Sequence, residues 1–134
     1  MTIHAVADTH ALIWYVYGDA RLSAAAHTVF DVARTNGEQI GVATISLVEV
    51  VYLAEKGRIP AATLDGLFHA FDDPHPLLCE LPLDRSIVTA LRTIDRGQIP
   101  ELADRIIAAT ASQLGVPIIS RDRKIAASTL TTIW

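Results

Sequence analysis

The chain alternates between short apolar runs and longer stretches with helical spacing. Four runs, Ile3 to Ala7, Gln39 to Thr44, Leu77 to Leu81 and Val116 to Ser120, are short and mostly apolar. Their length and apolar content predict strands of a buried sheet. The stretches between them read as helices. Thr9 to Tyr17 is apolar nearly all round, which implies full burial or a face kept for a partner. Ser23 is a candidate N-cap for a helix running to Thr35, with an apolar stripe at Val29, Phe30 and Ala33. Further helices are predicted over Ser46 to Lys56, Ala61 to Phe71, Asp84 to Ile94 and Glu101 to Leu114. Asp72 to Pro76 and Asp95 to Pro100 read as loops. A short helical turn after Arg121 to Lys124 and an edge strand over Thr131 to Trp134 complete the pattern. Regular strand–helix alternation predicts an α/β fold, a parallel sheet with helices on both faces.

A length of 134 residues fits a single domain spanning 1–134, and 51% hydrophobic residues argue against disorder. The formal net charge is −4. A protein relying on general phosphate attraction is usually basic, so a nucleic-acid substrate here requires bound cations or a local arginine cluster. The single cysteine, Cys79, excludes an intrachain disulfide and a cysteine zinc site, and fits a reducing cytoplasm. No signal peptide is visible, and the longest apolar run falls far short of the roughly 20 residues of a membrane span.

Four acids occupy comparable places. Asp8 follows the first strand, Glu49 lies in the first turn of the helix after the second, Asp104 lies in the first turn of the helix leading into the fourth, and Asp122 follows that strand. In a parallel sheet all four positions lie at the carboxyl edge, where such folds bind ligands. Convergent carboxylates suit hard divalent cations such as Mg²⁺ or Mn²⁺, and such ions promote hydrolysis of phosphodiesters. Each acid also has a structural reading. Ser46-x-x-Glu49 fits a capping box, Asp8 and Asp122 fit N-caps, and Asp104 fits a favourable charge near a helix start.

Four stretches carry a resemblance. Asp8-Thr9-His10-Ala11-Leu12-Ile13-Trp14, Ile45-Ser46-Leu47-Val48-Glu49-Val50, Pro100-Glu101-Leu102-Ala103-Asp104-Arg105-Ile106-Ile107-Ala108-Ala109-Thr110-Ala111 and Pro117-Ile118-Ile119-Ser120-Arg121-Asp122-Arg123-Lys124-Ile125 occur in order. Together they resemble PIN-domain ribonucleases, specifically the VapC-type toxins of type II toxin–antitoxin pairs. The resemblance implies a PIN-like three-layer α/β/α fold with a roughly five-stranded parallel sheet. It implies an Mg²⁺- or Mn²⁺-dependent endoribonuclease cleaving phosphodiester bonds in RNA. It makes Asp8, Glu49, Asp104 and Asp122 the acidic site, with Asp8, Asp104 and Asp122 as metal ligands and Glu49 holding a water or a second ion. It also implies a VapB-like antitoxin partner, a homodimer or toxin–antitoxin hetero-oligomer, a cytoplasmic location and no membrane association.

Around this core, Thr9 and Ser120 are secondary candidates whose hydroxyls would orient a carboxylate or a water; for Thr9 the alternative is a plain first-turn position. Arg105, Arg121, Arg123 and Lys124 flank two of the acids; some are candidate phosphate contacts, Arg105, Arg123 and Lys124 among them as RNA-binding residues, against pairing with acids or solvation. Trp14 and Tyr17 are candidate lining for an antitoxin groove, against ordinary core packing. His10 reads as a surface imidazole. A response-regulator phosphoacceptor domain is disfavoured because the third strand ends Glu80-Leu81-Pro82, and a haloacid-dehalogenase-type phosphatase because position 10 is His. The alternative is a non-catalytic PIN module that acts by binding RNA or protein only.

Overall fold

The computed structural model describes residues 2–134. Its elements in chain order are β1 (Ile3–Ala7), α1 (Thr9–Val16), α2 (Ala24–Thr35), β2 (Gln39–Ala43), α3 (Thr44–Glu55), α4 (Thr63–Phe71), β3 (Leu78–Leu81), α5 (Arg85–Leu91), α6 (Leu102–Leu114), β4 (Ile118–Ile119), α7 (Arg123–Ala126) and β5 (Thr132–Ile133). The strands form one sheet in the order β3-β2-β1-β4-β5. Every pairing is parallel.

Period-two side-chain alternation divides the core between the two faces of this sheet. Ala5 and Ala7 face a cluster with Leu12 of α1, Phe30 of α2, Val50 of α3 and Leu67 of α4. Val6, between them, faces the opposite cluster with Ile87 of α5, Ile107 of α6 and Ile125 of α7. Ile118 and Ile119 split in the same way, one to each layer. The helix–sheet–helix sandwich thus follows from alternation in strands only a few residues long. Phe30 is fully buried, and truncating it to alanine would cost about 3–5 kcal/mol.

Small residues set the close approaches. Ala108, Ala109 and Ala111 of α6 are fully buried and let that helix lie against β1 and β2. In β2, a Cβ at Gly41 would run into the end of the Leu81 side chain of the neighbouring strand, so any larger residue there requires that leucine to shift. Gly115 ends α6 in the left-handed conformation, at φ 67°.

Boundaries differ from the sequence reading where backbone chemistry decides them. β4 is two residues long rather than five, because Pro117 has no N–H to give the ladder. Backbone bonds nevertheless continue on both sides, with Val6 N–H donating to the Pro117 carbonyl and Asp8 N–H to that of Ile119. The helix expected from Ala61 begins at Thr63, whose hydroxyl donates to the Pro60 carbonyl. The helix expected to reach Ile94 ends at Leu91.

The strand order places the site. The chain walks from β1 to β2 to β3 in one direction, then crosses back to lay β4 and β5 on the other side of β1. The direction reverses between β1 and β4. In open parallel sheets a crevice forms outside the carboxyl ends of strands at such a reversal.

Candidate active site

Asp8 and Asp122 leave β1 and β4 at that reversal, and both cap helices. Asp8 has extended backbone angles and accepts the Ala11 N–H through Oδ1 at 2.9 Å. Asp122 does the same for α7, accepting from the amides of Lys124 at 2.7 Å and Ile125 at 3.2 Å through Oδ1. Each cap bond uses one carboxylate oxygen and fixes the rotamer. In neither residue is Oδ2 used by the cap. The capping reading and the site reading therefore describe the same side chains, and do not compete.

Ser120 joins the two. Its hydroxyl accepts the Asp122 N–H at 3.0 Å. It also hydrogen-bonds Asp8 and works against the rise that burial imposes on that carboxyl. Ser120 is buried beneath the cleft and does not line it.

Glu49 arrives differently from the expected capping box. α3 begins at Thr44 with Ala43 as its N-cap, and no side chain caps it. Ser46 already lies inside the first turn, so it cannot present its hydroxyl as a cap. Instead Thr9 Oγ1 lies 2.5 Å from Glu49 Oε1 and 3.0 Å from Ser46 Oγ. A hydroxyl has one hydrogen. Thr9 is the donor in both contacts, so this one hydrogen serves either the carboxylate, which only accepts, or the Ser46 hydroxyl at a given moment. Both hydroxyl residues are buried, Ser46 completely. Thr9 is both a first-turn residue of α1 and the support that aims Glu49.

Asp104 sits in the first turn of α6. Its pKa is pushed up from 3.8 to about 6, first by burial and then by the charges of Asp122, Glu49, Asp8 and Glu101. Asp8 is also raised, mainly by burial and slightly by Asp122. Asp122, Glu49 and Asp8 all act on Asp104, so the four acids converge electrostatically as well as topologically.

These residues line a cleft of about 750 Å³, together with His10, Trp14, Arg21, Glu101, Ala103, Arg121, Arg123 and Lys124. The donor set on the acidic side is oxygen only, which suits Mg²⁺ or Mn²⁺ and disfavours softer metals. Among the described residues no three His, Cys, Asp or Glu side chains come close enough to enclose an ion by themselves. The fit is to a hard cation that keeps part of its water shell, as Mg²⁺ does.

Of the other candidates, Arg123 and Lys124 are exposed on the cleft. Arg105 does not line it. One Nη donates to the carbonyls of Leu91 at 3.0 Å and Ile94 at 2.9 Å, so this arginine closes the end of α5 against α6 and is not placed to touch RNA. Trp14 is only 7% exposed, packed against Trp134 and His10 at the cleft wall, so it lines no open apolar groove. Tyr17 is exposed, and its hydroxyl shares a hydrogen bond with Thr63. Val48, Val51 and Tyr52 of α3 and Phe68 of α4 are likewise exposed apolar side chains, and α3 and α4 pack together. Sequence reasoning missed Glu101 and Arg21. Glu101 stands three residues before Asp104, a spacing that brings helix positions together and was readable. Arg21 lies in the loop after α1, and only the fold brings it to the cleft.

Among the described residues, no helix is long and apolar enough to cross a membrane. Among solved structures, the chain is similar to a toxin–antitoxin complex from Klebsiella pneumoniae, at 19% identity and TM-score 0.67, covering 97% of this chain and 96% of the other. It is similar also to VapBC2 from Rickettsia felis bound to a DNA fragment from its promoter, at 12% identity and TM-score 0.70, with 97% of each chain covered. At these identities the likeness is one of fold. No curated protein matches the sequence. The sequence matches the PIN domain family over residues 5–128, nearly its whole length, and the chain belongs to that family.

Proposed function

We propose that this PIN domain is a VapC-type toxin, an Mg²⁺- or Mn²⁺-dependent endoribonuclease held in check by a VapB-like antitoxin. The observation that carries the reading is the meeting of Asp8, Glu49, Asp104 and Asp122 at one cleft, close enough to push Asp104 up to about 6. Such crowding works against stability in the protein alone and is relieved by a cation.

Asp8, Asp104 and Asp122 would hold the metal, the first and third through the oxygens their caps leave unused. When bound, the cation supplies charge neutralisation for a phosphodiester and lowers the pKa of a coordinated water. The rest falls to the chain. Glu49, held by Thr9 at Oε1, would accept a hydrogen bond from the attacking water at its other oxygen. Ser120 keeps Asp8 and Asp122 in register. Arg123 and Lys124 would contact phosphate and locally offset the net charge of −4.

One structural neighbour is a toxin–antitoxin complex and the other is VapBC2, which supports an antitoxin partner and a toxin–antitoxin hetero-oligomer. A homodimer and a cytoplasmic location belong to the same proposal. The exposed apolar side chains of α3 and α4, with Tyr17, offer the antitoxin surface. The test is cleavage of single-stranded RNA by purified protein. Cleavage should require Mg²⁺ or Mn²⁺, stop with EDTA, and vanish in Asp8→Asn and Asp104→Asn. Folded wild-type protein that binds RNA yet never cleaves it would favour the non-catalytic module instead.

A further inference from the structure

The cleft has an acidic side and a cationic side, and the cationic side has a base of its own. Trp14 carries two guanidinium groups, with the Cζ of Arg21 and that of Arg121 each 5.0 Å from the indole centroid. Trp14 is buried, so this shelf is rigid. Arg21 is oriented further by Asp19, which accepts from Nε at 3.1 Å and Nη2 at 2.8 Å. Arg121 is the more telling case. It is exposed and adjacent in sequence to Asp122, yet among the described residues it makes no ion pair with any acid. Stacking on an indole holds a guanidinium by its face and leaves its N–H edge free for an oxyanion.

We propose that Arg121 and Arg21, stacked on Trp14, form a phosphate-binding subsite for the phosphodiester next to the one presented to the carboxylates. The inference rests on the ribonuclease reading above. It assigns Arg121 the larger share, because Asp19 already uses two donors of Arg21. A planar fork matches a phosphate with two parallel hydrogen bonds, which a lysine at the same place would not reproduce. The subsite would govern how tightly the strand is held, and leave the chemistry of the held strand unchanged.

The test is fluorescence anisotropy of a labelled single-stranded oligoribonucleotide in EDTA, across a salt series, alongside steady-state cleavage in Mn²⁺. Arg121→Gln should bind about tenfold more weakly and lower the slope of log affinity against log salt by about 0.7, one phosphate contact on a single strand. Its KM should rise while kcat stays within about twofold. Arg121→Lys should keep the slope and still lose affinity. Arg58→Gln, an exposed arginine away from the cleft, controls for general loss of charge and should change neither. Wild-type affinity and slope in Arg121→Gln, in a protein that cleaves RNA, would overturn the subsite and leave the ribonuclease reading standing. Wild-type affinity in Arg121→Lys would overturn the role of the Trp14 shelf. Absence of wild-type binding in EDTA would overturn the subsite, and absence of cleavage in Mn²⁺ as well would remove the ribonuclease reading with it.

Discussion

The Thr9 hydroxyl donates to Oε1 of Glu49 across 2.5 Å, tying the first turn of α1 to the second turn of α3. Forty residues separate the two in sequence. The bond matters because Glu49 is the one acid of the four that a strand end does not deliver and a helix start does not hold.

Thr9→Val should therefore damage activity out of proportion to stability. Valine keeps the shape and removes the donor, leaving the fully buried Ser46 hydroxyl without its partner. That loss should cost about 1–3 kcal/mol in thermal or urea unfolding. Cleavage per folded molecule should fall by at least about tenfold, or about 1.4 kcal/mol in the barrier. Thr9→Ser, which keeps the hydroxyl, should restore most of both.

Glu49→Gln separates the two effects. The amide oxygen still accepts from Thr9, so stability should change by less than about 0.5 kcal/mol. Cleavage should drop by about a hundredfold or more, because the neutral amide takes no proton from water. A large fall in melting temperature with activity retained per folded molecule would assign Glu49 a structural role.

Asp104 gives the metal-free protein a signed pH dependence. Its carboxyl titrates near 6 when folded against an ordinary 3.8. As pH rises through that window the unfolded chain loses its proton first, so the folded state holds more protons and stability falls with pH. The loss should be complete above about pH 7 and be on the order of 1 kcal/mol after allowance for solvent screening of a partly exposed group. In EDTA, melting temperature measured from pH 4.5 to 7.5 should show this contribution in wild type and lack it in Asp104→Asn. Saturating Mg²⁺ at pH 7 should raise the wild-type melting temperature by binding only the folded state, and raise that of Asp104→Asn much less.

The surface of α3 makes a separate prediction. Tyr52 is 61% exposed and Val48 56% exposed, and neither lines the acidic cleft. Tyr52→Glu should leave RNA cleavage intact and weaken co-purification with the antitoxin by at least about tenfold, a charge being costly in an apolar contact. Unchanged antitoxin affinity would move that interface elsewhere.

The acids at strand ends were legible because strand length and Val/Ile content locate them without tertiary information. Asp8 and Asp122 needed only the pattern of strand, then carboxylate, then helix. Asp104 needed the further step that a helix returning to a strand starts at the same edge. Glu49 was expected in the first turn of its helix, and both that placement and its capping-box alternative rested on starting the helix at Ser46; with α3 starting at Thr44 it falls in the second turn. The extended residue that begins α3 is Ala43, which carries no capping side chain. Long-range partners were the illegible part. Arg105 is basic and beside an acid in sequence, yet backbone carbonyls of another helix take it. Arg21 belongs to a loop whose path is set by tertiary packing. Trp14 sits on an apolar helix, and nothing local says that its ring carries guanidiniums instead of a partner protein.

The strand order also sets when the cleft is assembled. Val6 pairs with Ile118, and both walls of the cleft depend on that pairing. A parallel neighbour so distant in sequence forms late and slowly. Asp8 is made before Ile118 and Asp122, and the four-carboxylate cleft is incomplete until those later residues have docked beside β1. Under the proposed function, the site stays unformed while the chain between β1 and β4 is made and docks, and that interval is available to a partner.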